Sequence, residues 1–289
     1  MVAARPTSPP DTIAYLPRDP AVQPAFRCAI IGGVPTPEPL TLYTADRVRI
    51  DAGHFRGPDG LCFVLAHGFT CSWRQPALRR IAGVLNRFGG VVGLDFRGHG
   101  ASGGRSTVGD REVFDLEAAV GAARRRGYGR IVVTGFSMGG AIAVRHAALH
   151  GGVDAVVSVS APARWYYRGT VPMRRVHWAV ERRSGRLAVR LARGTRIAPR
   201  GWDPVPEAPH ELAGRIAPVP LLVVHGDADA FFPLEHAHQL YGAAREPREL
   251  WVEPSFGHAE VAATPDLITR IARWAVDARP GPVTAEPAH

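Results

Sequence analysis

A chain of 289 residues, 46% of them hydrophobic, is long enough to bury one large α/β core without disulfide or metal staples. No apolar run reaches the roughly 18 residues that a bilayer span requires, and no basic segment followed by an apolar stretch opens the chain, so a soluble, non-secreted, cytoplasmic protein is expected. The formal charge is +9 and every one of the 35 basic residues is arginine, a balance that suits acidic or anionic partners but comes with no nucleic-acid recognition motif, so nucleic acid is excluded as a partner.

Residues 1–25 are rich in proline and weakly patterned, and a loose N-terminal arm is expected there. Leu40 to Ile50 reads as an edge hairpin region, and Leu61 to Ala66 as a buried strand. Pro76 to Phe88 follows with Leu78, Ile81, Leu85 and Phe88 spaced three or four apart, the period of a helix. Val91 to Leu94 is the next strand, Val113 to Arg126 a helix, and Ile131 to Thr134 a β-branched strand. Met138 to His150 is a helix of alanine and small aliphatic residues, and Ala155 to Val159 a further strand. The alternation then breaks, and residues 163–217 read as a helical lid insertion. It resumes with strands at Pro220 to His225 and Leu250 to Val252 and an amphipathic helix at Pro265 to Ala278, followed by a disordered tail at 280–289. Strands alternating with helices predict a mostly parallel central sheet flanked by helices. Its core comprises residues 26–162 and 218–279.

Charge is concentrated in the insertion, where twelve arginines stand against four carboxylates, a net +8 of the chain's +9. Arg175, Arg182, Arg186, Arg190 and Arg193 fall on one stripe of a helical wheel, with Val176, Val180, Leu187 and Leu191 roughly opposite, which predicts one basic amphipathic helix. Such a face either is solvated on a lid or draws an anionic lipid surface or an acidic substrate to the site.

The chemistry-bearing segment is Gly135-Phe136-Ser137-Met138-Gly139, set between a strand and a helix. This G-x-S-x-G turn needs residues without a Cβ on either side of the serine, because the nucleophile is strained and neighbouring strands press close. A serine hydroxyl is a weak nucleophile and needs a base and an orienting acid on loops beyond strand ends. Asp227 and Asp229 follow one late strand and His258 follows the next, giving the order Ser, Asp, His. The cysteines Cys28, Cys62 and Cys71 lack metal or redox spacing, and His236 and His238 are two apart on a helix, so no metal is implied.

Four segments over residues 40–278 together resemble the α/β-hydrolase superfamily of serine hydrolases, in particular its monoglyceride-lipase and serine-aminopeptidase-like branch. They are His67-Gly68-Phe69, Asp95-Phe96-Arg97-Gly98-His99-Gly100-Ala101-Ser102, the serine turn, and His225-Gly226-Asp227-Ala228-Asp229 followed by Gly257-His258. The resemblance implies an α/β-hydrolase fold with a small helical lid, and a catalytic triad of Ser137 as nucleophile, His258 as general base and Asp229 as orienting acid, with Asp227 as its rival. It implies an oxyanion hole from the backbone N–H groups of Phe69 and Met138. His67 is expected to brace its loop. The Asp95 to Ser102 segment lacks the spacing of a phosphate loop and is expected to be a structural turn, so no cofactor is implied.

An aspartate nucleophile, which dehalogenases and epoxide hydrolases of this fold require, is absent from the turn, and acyl transfer to water remains. The expected function is carboxylic-ester hydrolysis on a small-molecule acyl ester such as a monoacylglycerol or lysophospholipid, with Trp165, Tyr166 and Trp178 as acyl-pocket residues. Acyl-thioester hydrolysis and a noncatalytic binding protein of the same fold are the alternatives.

Overall fold

A computed structural model describes residues 36–281 except residue 59; the arm expected at 1–25, Cys28 and nearly all of the tail expected at 280–289 lie outside the described residues. Eight strands form one sheet: β1 (Glu38–Tyr43), β2 (Arg49–Phe55), β3 (Leu61–Ala66), β4 (Gly90–Leu94), β5 (Arg130–Phe136), β6 (Ala155–Val159), β7 (Leu221–Gly226) and β8 (Arg248–Glu253). Their spatial order is β1-β2-β4-β3-β5-β6-β7-β8. β1 and β2 are antiparallel to their neighbours and the other pairings are parallel, in agreement with the expected α/β-hydrolase fold.

Parallel strands covered on both faces should be apolar throughout, and β3, β4, β6 and β7 are buried at every position. Alternate residues feed two cores. Cys62, Val64 and Ala66 of β3 pack with α2 (Glu112–Arg125) and α3 (Met138–His150), while Phe63 and Leu65 pack with α1 (Pro76–Leu85) and α9 (Pro265–Asp277). Between them come α7 (Glu235–Ala243) and the short α8 (Ala259–Ala262). β8 extends beyond the expected Leu250 to Val252 because it is a half-exposed edge strand, whose polar residues hide it from an apolar pattern.

Between β6 and β7 the chain forms α4 (Val171–Glu181), α5 (Arg183–Arg193), α6 (Pro209–Leu212) and a 3₁₀ turn, Ala213–Arg215. The single basic helix read from the sequence is in fact two. Arg182 leaves the helical region at φ −95°, ψ 140°, and Gly185 packs so tightly on α4 that a Cβ there would stand 2.3 Å from the carbonyl oxygen of Trp178. The wheel that placed Leu187 and Leu191 inward therefore fails: they are 56% and 78% exposed, and Val189 of α5 faces the interior instead. After α5 the chain is bolted to the loop before α2 by a parallel bridge between Ser106 and Ile197, with Arg196 N–H donating to the Gly98 carbonyl. No helix among the described residues is long and apolar enough to cross a membrane.

The turn between β5 and α3 is closed by contacts that only glycine permits. A Cβ on Gly135 would lie 2.2 Å from the carbonyl oxygen of Gly139, and one on Gly139 would lie 2.4 Å from that of Ala66. Gly139→Ala should lower stability in urea by about 3 kcal/mol, the upper range for overpacking, because backbone rather than a flexible side chain must move. Gly242→Ala, in α7 with open space around it, should be neutral or stabilise by up to about 1 kcal/mol. Equal destabilisation by the two substitutions would contradict this packing.

Candidate active site

Ser137 occupies the turn at φ 51°, ψ −118°, a conformation costing a residue with a side chain about 1–3 kcal/mol. The strain is held by β5 behind it, α3 ahead of it, and a hydrogen bond from its N–H to the Val159 carbonyl of 2.8 Å. The serine is thereby presented at the carboxyl ends of the strands, where ligands of open α/β sheets bind.

Two loops at the same edge complete a hydrogen-bonded chain. His258, after β8, places Nε2 2.9 Å from Ser137 Oγ and Nδ1 2.8 Å from Asp229 Oδ2. Asp229, after β7, has a fully buried side chain, and its other oxygen accepts from the N–H groups of Phe231 at 2.8 Å and Phe232 at 3.1 Å. Burial alone would raise this carboxyl; the hydrogen bond and charge of His258 and the two N–H groups outweigh it and hold Asp229 below its ordinary value. It remains a carboxylate, the form that fixes the Nδ1–H tautomer of His258 and leaves Nε2 to accept from the serine. The ring of Phe231 stacks on His258 at 4.2 Å and limits its rotation. Asp227 is elsewhere: its Oδ1 accepts from Ser255 N–H at 2.6 Å and braces the turn before His258.

The N–H groups of Phe69 and Met138 carry no hydrogen bond among the described residues, and both residues line the cavity that contains Ser137 and His258. Met138 begins α3, so its N–H adds the positive end of a helix. The loop bearing Phe69 is fixed through His67, whose Nε2 accepts from Phe96 N–H at 3.0 Å, so that Nδ1 carries the proton and donates to the Gly68 carbonyl at 2.7 Å. Phe96 belongs to the turn expected to be structural, and that turn is dense with internal bonds. Asp95 accepts from Trp73 and Ala101 N–H, and Arg97 spans Asp115 and Asp46.

Ser160, just after β6, has no place in the sequence reading. Its hydroxyl accepts from Ala259 N–H at 3.1 Å, tying the His258 loop to the sheet. Two adjacent positive-φ residues, Ser160 at 49° and Ala259 at 53°, mark the junction. No sequence pattern announces such a pair, since neither is glycine.

The cavity above the serine encloses about 890 Å³, the size of sites that take drug-sized ligands. Val108, Met138, Met173, Val176 and Val180 give it apolar walls. Trp165 and Tyr166 also line it. Trp178 does not: it is 48% exposed, because it lies across α4 from Val176 and Val180, which face the cavity. Cys71 lines the cavity and Cys62 is buried in the core, both as free thiols. No group of metal-ligating residues occurs among the described residues.

Burial lowers His67 to about 4, so it is neutral in the fold, whereas the unfolded chain takes up a proton below about pH 6.5. Its contribution to stability is therefore complete above pH 6.5 and shrinks as pH falls toward 4. His67→Asn should cost about 2 kcal/mol less at pH 5 than at pH 8, read from paired urea titrations. A cost independent of pH would contradict the buried neutral tautomer.

Residues 58–202, half of the chain, match the family model of the serine aminopeptidases, S33. Over 45 residues the chain is 40% identical to an uncharacterized protein, YfhR, of Escherichia coli, a match spanning 16% of this chain and 16% of that protein, so about a sixth of the curated relative's length is covered. Among solved structures, the esterase Pf2001 of Pyrococcus furiosus superposes with a TM-score of 0.67 at 22% identity, covering 84% of this chain and 93% of that one. XC6422 of Xanthomonas campestris, described as an α/β serine hydrolase without a lid, superposes with a TM-score of 0.56 at 18% identity, covering 85% and 95%. The eight-stranded sheet and the matching model place the chain among the serine hydrolases of the α/β-hydrolase superfamily, in the serine aminopeptidase S33 family.

Proposed function

We propose that this hydrolase cleaves carboxylic esters bearing an apolar acyl group, with Ser137, His258 and Asp229 as its catalytic residues. The observation that carries the reading is the unbroken hydrogen-bonded chain from Asp229 through His258 to Ser137, opening on an apolar cavity. His258 Nε2 takes the serine proton as Oγ attacks the ester carbonyl, and the positive imidazole is stabilised by Asp229. Phe69 and Met138 N–H receive the developing oxyanion, each donor worth about 10²–10³ in rate. His258 then protonates the departing alcohol, and water, deprotonated by the same nitrogen, releases the acid and regenerates Ser137. Trp165 and Tyr166 contribute to the acyl pocket, which suits a monoacylglycerol or lysophospholipid as well as simpler esters.

An acyl-chain-length series of oxyesters and thioesters tests the reading. Oxyesters of medium or long acyl chains should be turned over, with Ser137→Ala lowering kcat by about 10⁴-fold or more and Asp229→Asn by about 10⁴-fold. Thioester turnover alone would replace the ester reading with acyl-thioester hydrolysis. Turnover of neither class would favour a noncatalytic binding protein, and activity surviving Ser137→Ala would sink the mechanism.

The outer face of the insertion supports an anionic lipid surface as the partner. Trp178, Leu187 and Leu191 are exposed there beside Arg175, Arg182, Arg183 and Arg190, which have no ion-pair partner among the described residues. Apolar side chains that enter an interface and arginines that meet headgroups are the two components of peripheral binding, each basic residue near the surface adding about 1 kcal/mol. The enzyme should sediment with phosphatidylglycerol vesicles at low salt and be released at high salt, and Leu191→Asp should weaken binding without altering turnover of a short soluble ester. Equal binding to neutral vesicles, or none to anionic ones, would contradict it.

A further inference from the structure

Glu260 is a carboxylate that the proposed mechanism does not use, yet it belongs to the wall of the same cavity as Ser137 and His258. It is 3% exposed, and its Oε2 has no hydrogen-bond partner among the described residues. The side chain reaches back over the oxyanion loop: a Cβ on Gly68 would lie 2.9 Å from its Oε1 and 3.2 Å from its Oε2, so the carboxylate fills the space that glycine leaves. Its side-chain neighbour is the thiol of Cys71, a weak donor. Glu112 is also fully buried, but its two oxygens receive the hydroxyls of Ser106 and Thr107 and the N–H groups of Thr107, Val108 and Gly109.

A buried carboxylate whose donor is a lone thiol is costly, and a fold keeps one where something else supplies the positive end. Glu260 lies two residues after His258, the group that hands a proton to the departing alcohol. Glu260 thus stands against Gly68 of the oxyanion loop on one side and follows His258 in the chain on the other.

We propose that Glu260 is a specificity residue, selecting esters whose alcohol part carries an electropositive group, a hydroxyl hydrogen or a cationic nitrogen, close to the ester oxygen. The acyl side is left to the apolar cavity. The proposal rests on the ester-hydrolase reading and adds a selection on the leaving group to it.

Three esters of one acyl chain separate the possibilities: propyl, 2-hydroxyethyl and choline. The wild type should favour the hydroxyethyl or the choline ester over the propyl ester by about 10-fold or more in kcat/KM, the size of one charge-assisted contact. A preference for hydroxyethyl identifies a hydrogen-bond donor as the recognised group, and one for choline identifies a cation. Glu260→Leu should abolish the preference, bringing the ratio of kcat/KM between the favoured ester and the propyl ester down to about 1. Glu260→Gln, isosteric and uncharged, serves if the leucine variant does not fold: it should remove a choline preference and cut a hydroxyethyl preference by about threefold or more.

No preference in the wild type, or a parallel fall of all three esters in both variants, would overturn the assignment and leave Glu260 a purely structural support of the loop. Failure of the wild type to hydrolyse any of the three would instead remove the ester-hydrolase reading on which the assignment stands.

Discussion

The backbone of Ser137, held at φ 51°, is the constraint on which the rest of the structure depends. A side chain in that conformation is strained, and the strain persists only because β5, α3 and the neighbouring β3 close around it without room to relax. One consequence is positional: the hydroxyl stands above the sheet edge, where the loops after β7 and β8 can reach it. Another is electrostatic, since the turn feeds directly into α3 and leaves the Met138 N–H without a partner among the described residues.

The charges around this turn are sorted by burial. Asp229 is kept ionised by donors that outweigh its desolvation. His225, buried beside it with Nε2 3.6 Å from Asp229 Oδ2, is lowered by burial, so it stays neutral and does not compete with His258 for the carboxylate. His67 and His99 are likewise buried and lowered, to about 4 and about 3, and act as neutral hydrogen-bonding struts. Of the histidines at this edge, His258 alone touches the serine, and it is the one held between an acceptor and a hydroxyl. A single proton path results.

Much of this was legible in the sequence because short-range sterics dictate it. Gly135 and Gly139 flank the serine since no other residue fits, and Asp229 and His258 follow strands whose apolar runs are readable. The insertion was less legible. Arg182 has no residue type that forces a break; the break follows from Gly185 packing on the Trp178 carbonyl, a tertiary contact that a helical wheel cannot represent. Trp178 is a different case: its aromatic character suggests a pocket residue, but its place on α4 opposite Val176 and Val180 turns it to the outside. Ser160 and Glu260 carry no signal in the sequence because their importance comes from what they face across the fold, the Ala259 N–H and Gly68, rather than from spacing along the chain.

The central claim is that Ser137 carries the acyl group between two half-reactions. Rapid quenching of the enzyme with a stoichiometric activated ester, followed by intact-protein and peptide mass spectrometry, tests it most directly. The account predicts a burst of one alcohol equivalent per enzyme and a transient mass increase equal to the acyl group, located on the peptide containing Gly135 to Gly139. A burst-free time course with no adduct on that peptide, or an adduct on Cys71 instead, would contradict it.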